Sequence, residues 1–183
     1  VPNLRKFNLR VKTHLMFKPP FMNEIDALEH GVRWIKDVAA KSDEISVNPM
    51  NIQRGTVIDR LHRNNEYRPP WLWSLVEMIK RAHPIIYPKG GTNGSEDQVC
   101  RLIIHPTAGG KIRGAHNCGT CDKFVVAAIE RYAVSGDLRE FNGLSCECQA
   151  IWQQELALES ALPLPLGISR PRRGNRIENL RSL

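Results

Sequence analysis

Hydrophobic positions along the chain switch between a period of two and a period near 3.6. Leu9, Val11 and Thr13 alternate with Arg10, Lys12 and His14 before Leu15-Met16-Phe17, which predicts a strand stopped by Pro19-Pro20. Ile25, Leu28, Val32, Ile35 and Val38 then recur at helical spacing beside Ala39, with Asn23 placed to cap the helix. DEISVNP reads as a second strand ending at Pro49, and Thr56 can cap a helix over VIDRLHRNN. EYRPPWLWSLVEMIKRAHP predicts a turn and then a helix with Pro70 in its first turn and Trp71, Leu75, Met78 and Ile79 on its buried face. PIIYPKG reads as a further short strand, GGTNGSED as a flexible loop and QVCRLIIHP as another strand.

Strands alternating with helices predict an α/β architecture with parallel pairing. Three or four such units are too few to close an eight-unit barrel, so a partial barrel or an open sheet is expected. The character changes after TAGGKIRGAHN. Two helices are predicted, CDKFVVAAIERYAV and CQAIWQQELALES, each beginning at a cysteine pair, and LPLPLG breaks the chain before a basic tail. The expected division is an α/β part over 1–107, a cysteine-rich helical module over 108–160 and a tail over 161–183. No internal repeat is visible.

Composition narrows the class. With 42% hydrophobic and 25% charged residues among 183, the chain has the balance of an ordinary globular domain. No apolar run approaches the roughly 20 residues that span a bilayer, and no secretory signal opens the chain. A cytoplasmic setting is therefore expected, with no membrane partner. Val1 in place of Met suggests a processed or excised piece. The net charge of +7 favours polyanionic partners. Much of it lies in ISRPRRGNRIENLRSL, where Arg170, Arg172, Arg173, Arg176 and Arg181 face the single acid Glu178. That tail is either a solvated end or a nucleic-acid contact.

Four of the five cysteines form two pairs, Cys118-x2-Cys121 and Cys146-x-Cys148. Two loops that each offer two thiolates suit one tetrahedral metal, with zinc the first choice. Helix N-termini behind the pairs would lower the thiol pKa and stabilise thiolates. An iron-sulfur cluster is the alternative metal reading. A thioredoxin-type pair fits poorly, because a second pair waits nearby, and the expected reducing setting disfavours disulfides. His116 is an alternative ligand, a supporting group, or a capping residue. Cys100 reads as a small buried hydrophobe.

Three segments carry a resemblance: KPPF, ISVNPMNIQRGTVIDRLHRNNEYRPPWLWS, and HNCGTCD followed by CECQAIW. Through them the chain, from about Leu9 to Glu159, resembles radical SAM enzymes of the Elp3/MiaB-like group, and within it the radical SAM subunits of archaeosine synthases. The resemblance implies a partial parallel α/β barrel of the radical SAM type, S-adenosylmethionine, and a [4Fe-4S] cluster held by C-x3-C-x2-C. It further implies a tRNA substrate bearing a lysine-modified 7-deazaguanine, cleavage of the lysine C–N bond to form archaeosine, and a separate lysine-transferring subunit as partner. No C-x3-C-x2-C occurs here. The segment therefore reads as the C-terminal portion of such an enzyme, with its cluster ligands upstream and no radical chemistry of its own.

Parallel α/β enzymes bind ligands at the C-terminal ends of strands. Lys18 follows the first strand, Asn48 ends the second, and Asn51 and Gln53 lie in the next loop. Their side chains can reach the ribose or amino-acid part of S-adenosylmethionine, although Asn-Pro is also a common turn starter. Arg68 in EYRPPWLW is a candidate nucleic-acid contact at the mouth, with the tail arginines Arg170, Arg172, Arg173 and Arg176, while Trp71 and Trp73 read chiefly as core. Two alternatives stand beside the enzyme: a non-catalytic zinc-dependent tRNA- or protein-binding module, and another radical SAM enzyme of the same group.

Overall fold

The computed structural model describes residue 4 and residues 6–162. Three strands, β1 (Lys12–Phe17), β2 (Glu44–Pro49) and β3 (Arg101–Ile104), form one parallel sheet in the order β1-β2-β3. Lys12 pairs with Glu44 and Glu44 with Arg101, which fixes the register across all three strands. Five helices accompany them: α1 (Glu24–Ala39), α2 (Val57–Arg63), α3 (Leu72–Ile86), α4 (Asp122–Ser135) and α5 (Cys148–Ala161), with a 3-10 turn at Leu138–Phe141. The described residues thus show an open parallel α/β sheet and no further barrel strand.

Local chemistry sets the helix starts. Asn23 Oδ1 accepts the Asp26 N–H at 2.8 Å, and the Thr56 hydroxyl accepts that of Asp59. Helix α1 covers β1 and β2, α4 covers β3, and α1 packs along α3. At that crossing a Cβ on Gly31 would lie 2.8 Å from Met78 Sδ and 3.2 Å from the Phe17 ring. Glycine there leaves room for the Met78 side chain and the Phe17 ring.

One core joins both parts of the chain. Phe17, Leu28, Ile45 and Ile79 belong to the same buried cluster as Val125, Ile129 and Trp152, so packing runs unbroken past residue 107. A smaller cluster of Ile52, Ile58, Leu61 and Tyr67 sits apart from it, with Phe21 and Met50 packed alongside. On the sheet's second face Lys12, His14 and Met16 in β1, Asn48 in β2 and Arg101 in β3 are exposed, while Ser46 and Ile103 are buried.

Two expectations are corrected. PIIYPKG is no strand: α3 continues through Pro84 to Ile86. The apolar stripe of Leu75, Ile79, Ala82 and Ile86 runs on at helical spacing and is fully buried. That burial outweighs one hydrogen bond lost to proline in the last turn. Pro70 lies before the helix, since Trp71 is its N-cap, and the Pro70 carbonyl accepts the His116 N–H at 3.0 Å. Among the described residues no helix is long and apolar enough to cross a membrane.

Candidate metal centre

The four paired cysteines converge at the N-termini of α4 and α5. Helix α4 begins at Asp122, one residue after Cys121, and α5 begins at Cys148 itself. In the first pair the chain turns through Gly119, whose φ of 91° is a conformation other residues rarely adopt. Asp122 Oδ1 fixes that turn by accepting the N–H groups of Asn117 at 3.0 Å and Gly119 at 3.2 Å.

The sulfurs have the separations of one tetrahedral site. Cys118 Sγ lies 3.9 Å from Cys121 Sγ and 3.7 Å from Cys146 Sγ, Cys121 Sγ lies 3.7 Å from Cys148 Sγ, and all four fall within 4.8 Å of one another. Four thiolates at about 2.3 Å from a tetrahedral zinc sit about 3.8 Å apart. Three of the six sulfur–sulfur edges therefore match those of a zinc tetrahedron, and the rest fall within 4.8 Å. A four-iron cluster places each thiolate on a different iron, and sulfurs already near van der Waals contact leave no room for its cube.

The two halves of the site differ. Cys121 and Cys148 are buried, Cys146 is half-buried and Cys118 is exposed. The buried sulfurs accept side-chain N–H groups, Asn117 Nδ2 to Cys121 and Trp73 Nε1 to Cys148, each at 3.3 Å. Donors of this kind orient ligands and offset the charge of a tetrathiolate site. Backbone N–H groups of Cys121 and Thr120 pull the Cys118 thiol down to about 6, whereas burial pushes Cys121 and Cys148 up. A bound cation would deprotonate all four.

Neighbouring side chains brace α5 against the rest. Trp152 Nε1 donates to Ser74 Oγ at 2.8 Å, Trp71 Nε1 to Glu155 at 2.8 Å, and the Ile25 N–H to Glu159 at 2.8 Å. Arg68 stacks on the Trp71 ring at 3.8 Å and donates to the carbonyls of Pro69 and His116. It is half-buried beside the sulfur site. His116 does not join the ligand group: its Nδ1 lies 2.8 Å from the Gly114 carbonyl, and burial lowers its pKa. Cys100 is 3% exposed, a packed thiol as expected. Trp71 and Trp73 are both buried.

At the strand ends the candidates separate. Asn48 is exposed, its amide nitrogen 3.2 Å from the Ser46 carbonyl and 3.3 Å from His14 Nδ1. Gln53 is exposed and Asn51 half-buried. Lys18 is buried, its amine paired with Glu24, whose other oxygen accepts the Trp71 N–H at 2.9 Å. The Lys18 backbone has φ 54°, and its carbonyl accepts the Tyr67 hydroxyl at 2.7 Å. Its amine is thus engaged within the fold. Arg170, Arg172, Arg173 and Arg176 lie outside the described residues.

Sequence reasoning missed Trp73, Asn117 and Asp122 as supports of the sulfur site. Asn117 and Asp122 flank the first pair directly, and a buried tryptophan N–H needs an acceptor. Those two signals were present in the chain.

The chain is similar to archaeosine synthase subunit beta of Methanosarcina acetivorans, 34% identical over 158 residues that cover 85% of this chain and 42% of the relative. The protein of the same name in Thermococcus kodakarensis is 35% identical over 149 residues, covering 81% and 43%. An uncharacterized protein of Methanocaldococcus jannaschii is 31% identical over 170 residues, covering 91% and 43%. The chain therefore spans less than half the length of these relatives. No protein-family model matches it, and no solved structure matches it.

Proposed function

We propose that the chain is the C-terminal portion of a radical SAM tRNA-modifying enzyme that forms archaeosine by cleaving the lysine C–N bond of a lysine-modified 7-deazaguanine. The observation that carries this reading is the 34–35% identity, over more than four-fifths of the chain, to proteins named archaeosine synthase subunit beta. A subunit so named has a companion, here the lysine-transferring subunit, and tRNA as substrate. In this reading residues 1–107 belong to the barrel, 108–160 form the metal module and 161–183 the basic tail.

The residues divide the work. Cys118, Cys121, Cys146 and Cys148 hold one structural zinc, because their spacing and their sulfur separations suit a single tetrahedral ion. Asn48, Gln53 and Asn51 lie at or beside the C-terminal end of β2, where amides can bind the polar parts of S-adenosylmethionine. Lys18 supports that mouth through its ion pair with Glu24. Arg68 and the tail arginines supply phosphate contacts. The five cysteines of this chain include no C-x3-C-x2-C and do not fit the [4Fe-4S] cluster of such an enzyme, so no step is derived through it here.

That lack of a cluster motif also suits a non-catalytic zinc-dependent module that binds tRNA or protein. One assay separates the two. Full-length protein, reconstituted anaerobically with its companion subunit and lysine-modified tRNA, is followed by nucleoside analysis. Archaeosine formation that depends on Asn48 and Gln53 supports the enzyme, and tRNA binding without conversion supports the module.

A further inference from the structure

Charge is distributed unevenly over the described surface. Helix α5 carries Glu155 and Glu159 and no lysine or arginine. The small lobe around α2 is the reverse. Over residues 50–66 it carries Arg54, Arg60 and Arg63 against Asp59 and Glu66, and Lys111 and Arg113 lie on the loop docked against it.

The lobe is built to keep those cations outward. Ile52, Ile58, Leu61 and Tyr67 give it an apolar centre of its own. Asp59 is 3% exposed and works inward: it accepts the Gly55 N–H at 3.0 Å and pairs with Arg63 and Arg113. Arg113 also exchanges hydrogen bonds with the backbone of Ile52, at 2.8 Å and 3.1 Å, which ties the 111–113 loop to the lobe. A groove lined by Gly55, Thr56, Asp59, Arg60 and Arg63 opens on the surface. Arg54, Arg60 and Lys111 are exposed and have no side-chain partner among the described residues. An acid hidden beneath paired arginines, with further arginines left unpaired above it, presents a positive surface to solvent.

Its position adds a direction. The Met50 N–H donates to the Phe17 carbonyl at 3.0 Å, and the Tyr67 hydroxyl reaches the Lys18 carbonyl. The lobe therefore sits at the C-terminal ends of β1 and β2, beside Asn48, where a parallel α/β sheet receives its ligand. We propose that this α2 lobe, through Arg54, Arg60, Arg63 and Lys111, docks the phosphate backbone of the RNA whose nucleotide enters at the strand ends. This rests on the reading of tRNA as substrate and deepens it by assigning the docking surface. Arginine and lysine at phosphates position the RNA without reading its sequence.

The test is a salt series of tRNA affinity for the chain, for Arg54→Ala/Arg60→Ala, and for a control Arg33→Ala/Lys36→Ala on α1. Neither lobe arginine has a side-chain partner to lose, so circular dichroism should be unchanged. Each phosphate contact removed lowers the slope of log affinity against log salt by about 1, so the lobe variant should lose about 2 and the control none. Arg60→Lys should keep most of the slope. Unchanged affinity and slope in the lobe variant, with the unaltered chain still binding tRNA, would overturn the docking surface and leave the functional reading standing. Equal losses in the control would also overturn it, as would lost association with the companion subunit at unchanged tRNA affinity, which would assign the lobe to an acidic protein. Failure of the unaltered chain to bind tRNA at any salt would overturn both.

Discussion

The sulfur site and the strand-end mouth lie on one core yet are built on opposite principles. At the sulfur site most polar atoms are engaged from within: Trp73 and Asn117 donate to sulfurs, Asp122 Oδ1 fixes the turn while its Oδ2 is buried without a partner, and Ser74, Glu155 and Glu159 pin the outgoing helix. At the strand ends Asn48 and Gln53 are exposed, and Asn48 is held only through its amide nitrogen, by the Ser46 carbonyl and His14. The first arrangement places stability at a fixed point, and the second keeps polar amides at the surface. The difference teaches how to separate structure from chemistry here, because substitutions at the two places should fail in different ways.

The largest effect is expected at the buried sulfurs. Cys121→Ser or Cys148→Ser should abolish tight zinc binding and cost several kcal/mol, within the roughly 10–16 kcal/mol that structural zinc supplies to zinc-finger peptides. Cys118→Ser, at the exposed corner, should cost less. Thermal unfolding with and without a chelator measures both, and a chelator-insensitive midpoint would erase the contrast.

Next comes the ion pair beneath the mouth. Glu24→Ala strands Lys18 and the Trp71 N–H, and should cost about 3–5 kcal/mol in denaturant unfolding. Lys18→Met with Glu24→Leu should recover the part owed to the stranded amine, leaving the Trp71 N–H unpaired. A double variant that stays as unstable as the single one would show that the pair is more than mutual compensation.

Trp73→Phe keeps the packing and removes one N–H to sulfur. Loss of such a support typically weakens metal binding about 10- to 100-fold, which competition with a chromophoric chelator would read. An unchanged affinity would make the contact incidental.

Stability should barely register the amides. Asn48→Ala and Gln53→Ala are expected within about 0.5 kcal/mol of the parent in unfolding, while, under the proposed function, lowering archaeosine formation by the full-length protein. A separate readout, pH, belongs to Glu159, which burial pushes up to about 7. A carboxyl raised in the folded state contributes fully below its ordinary value near 4.5 and loses that contribution as pH rises through 7. Glu159→Gln should therefore flatten the pH dependence of the unfolding midpoint between about pH 5 and 7, and a slope unchanged from the parent would remove Glu159 from the account.

What the sequence made legible follows the range of each interaction. Asn23, Thr56 and the two cysteine pairs act within a few residues, and each was readable from spacing. The parallel sheet followed from the alternation of strand and helix. PIIYPKG reads locally as a strand, but Pro84 falls inside the last turn of a helix whose stripe ends at the fully buried Ile86. Glu24, Glu155 and Glu159 lie in helices with no local pattern that marks their partners. Their partners, Lys18, Trp71 and the Ile25 N–H, meet them only in the folded chain. Arg113 and Asp59 lie 54 residues apart, and no local pattern announces that pair.

Metal content and X-ray absorption of the purified chain test the central claim most directly. The account predicts one zinc per chain, bound by four sulfurs at about 2.3 Å and lost in Cys121→Ser. A metal-free protein of unchanged stability, or iron with inorganic sulfide at the same four cysteines, would contradict it.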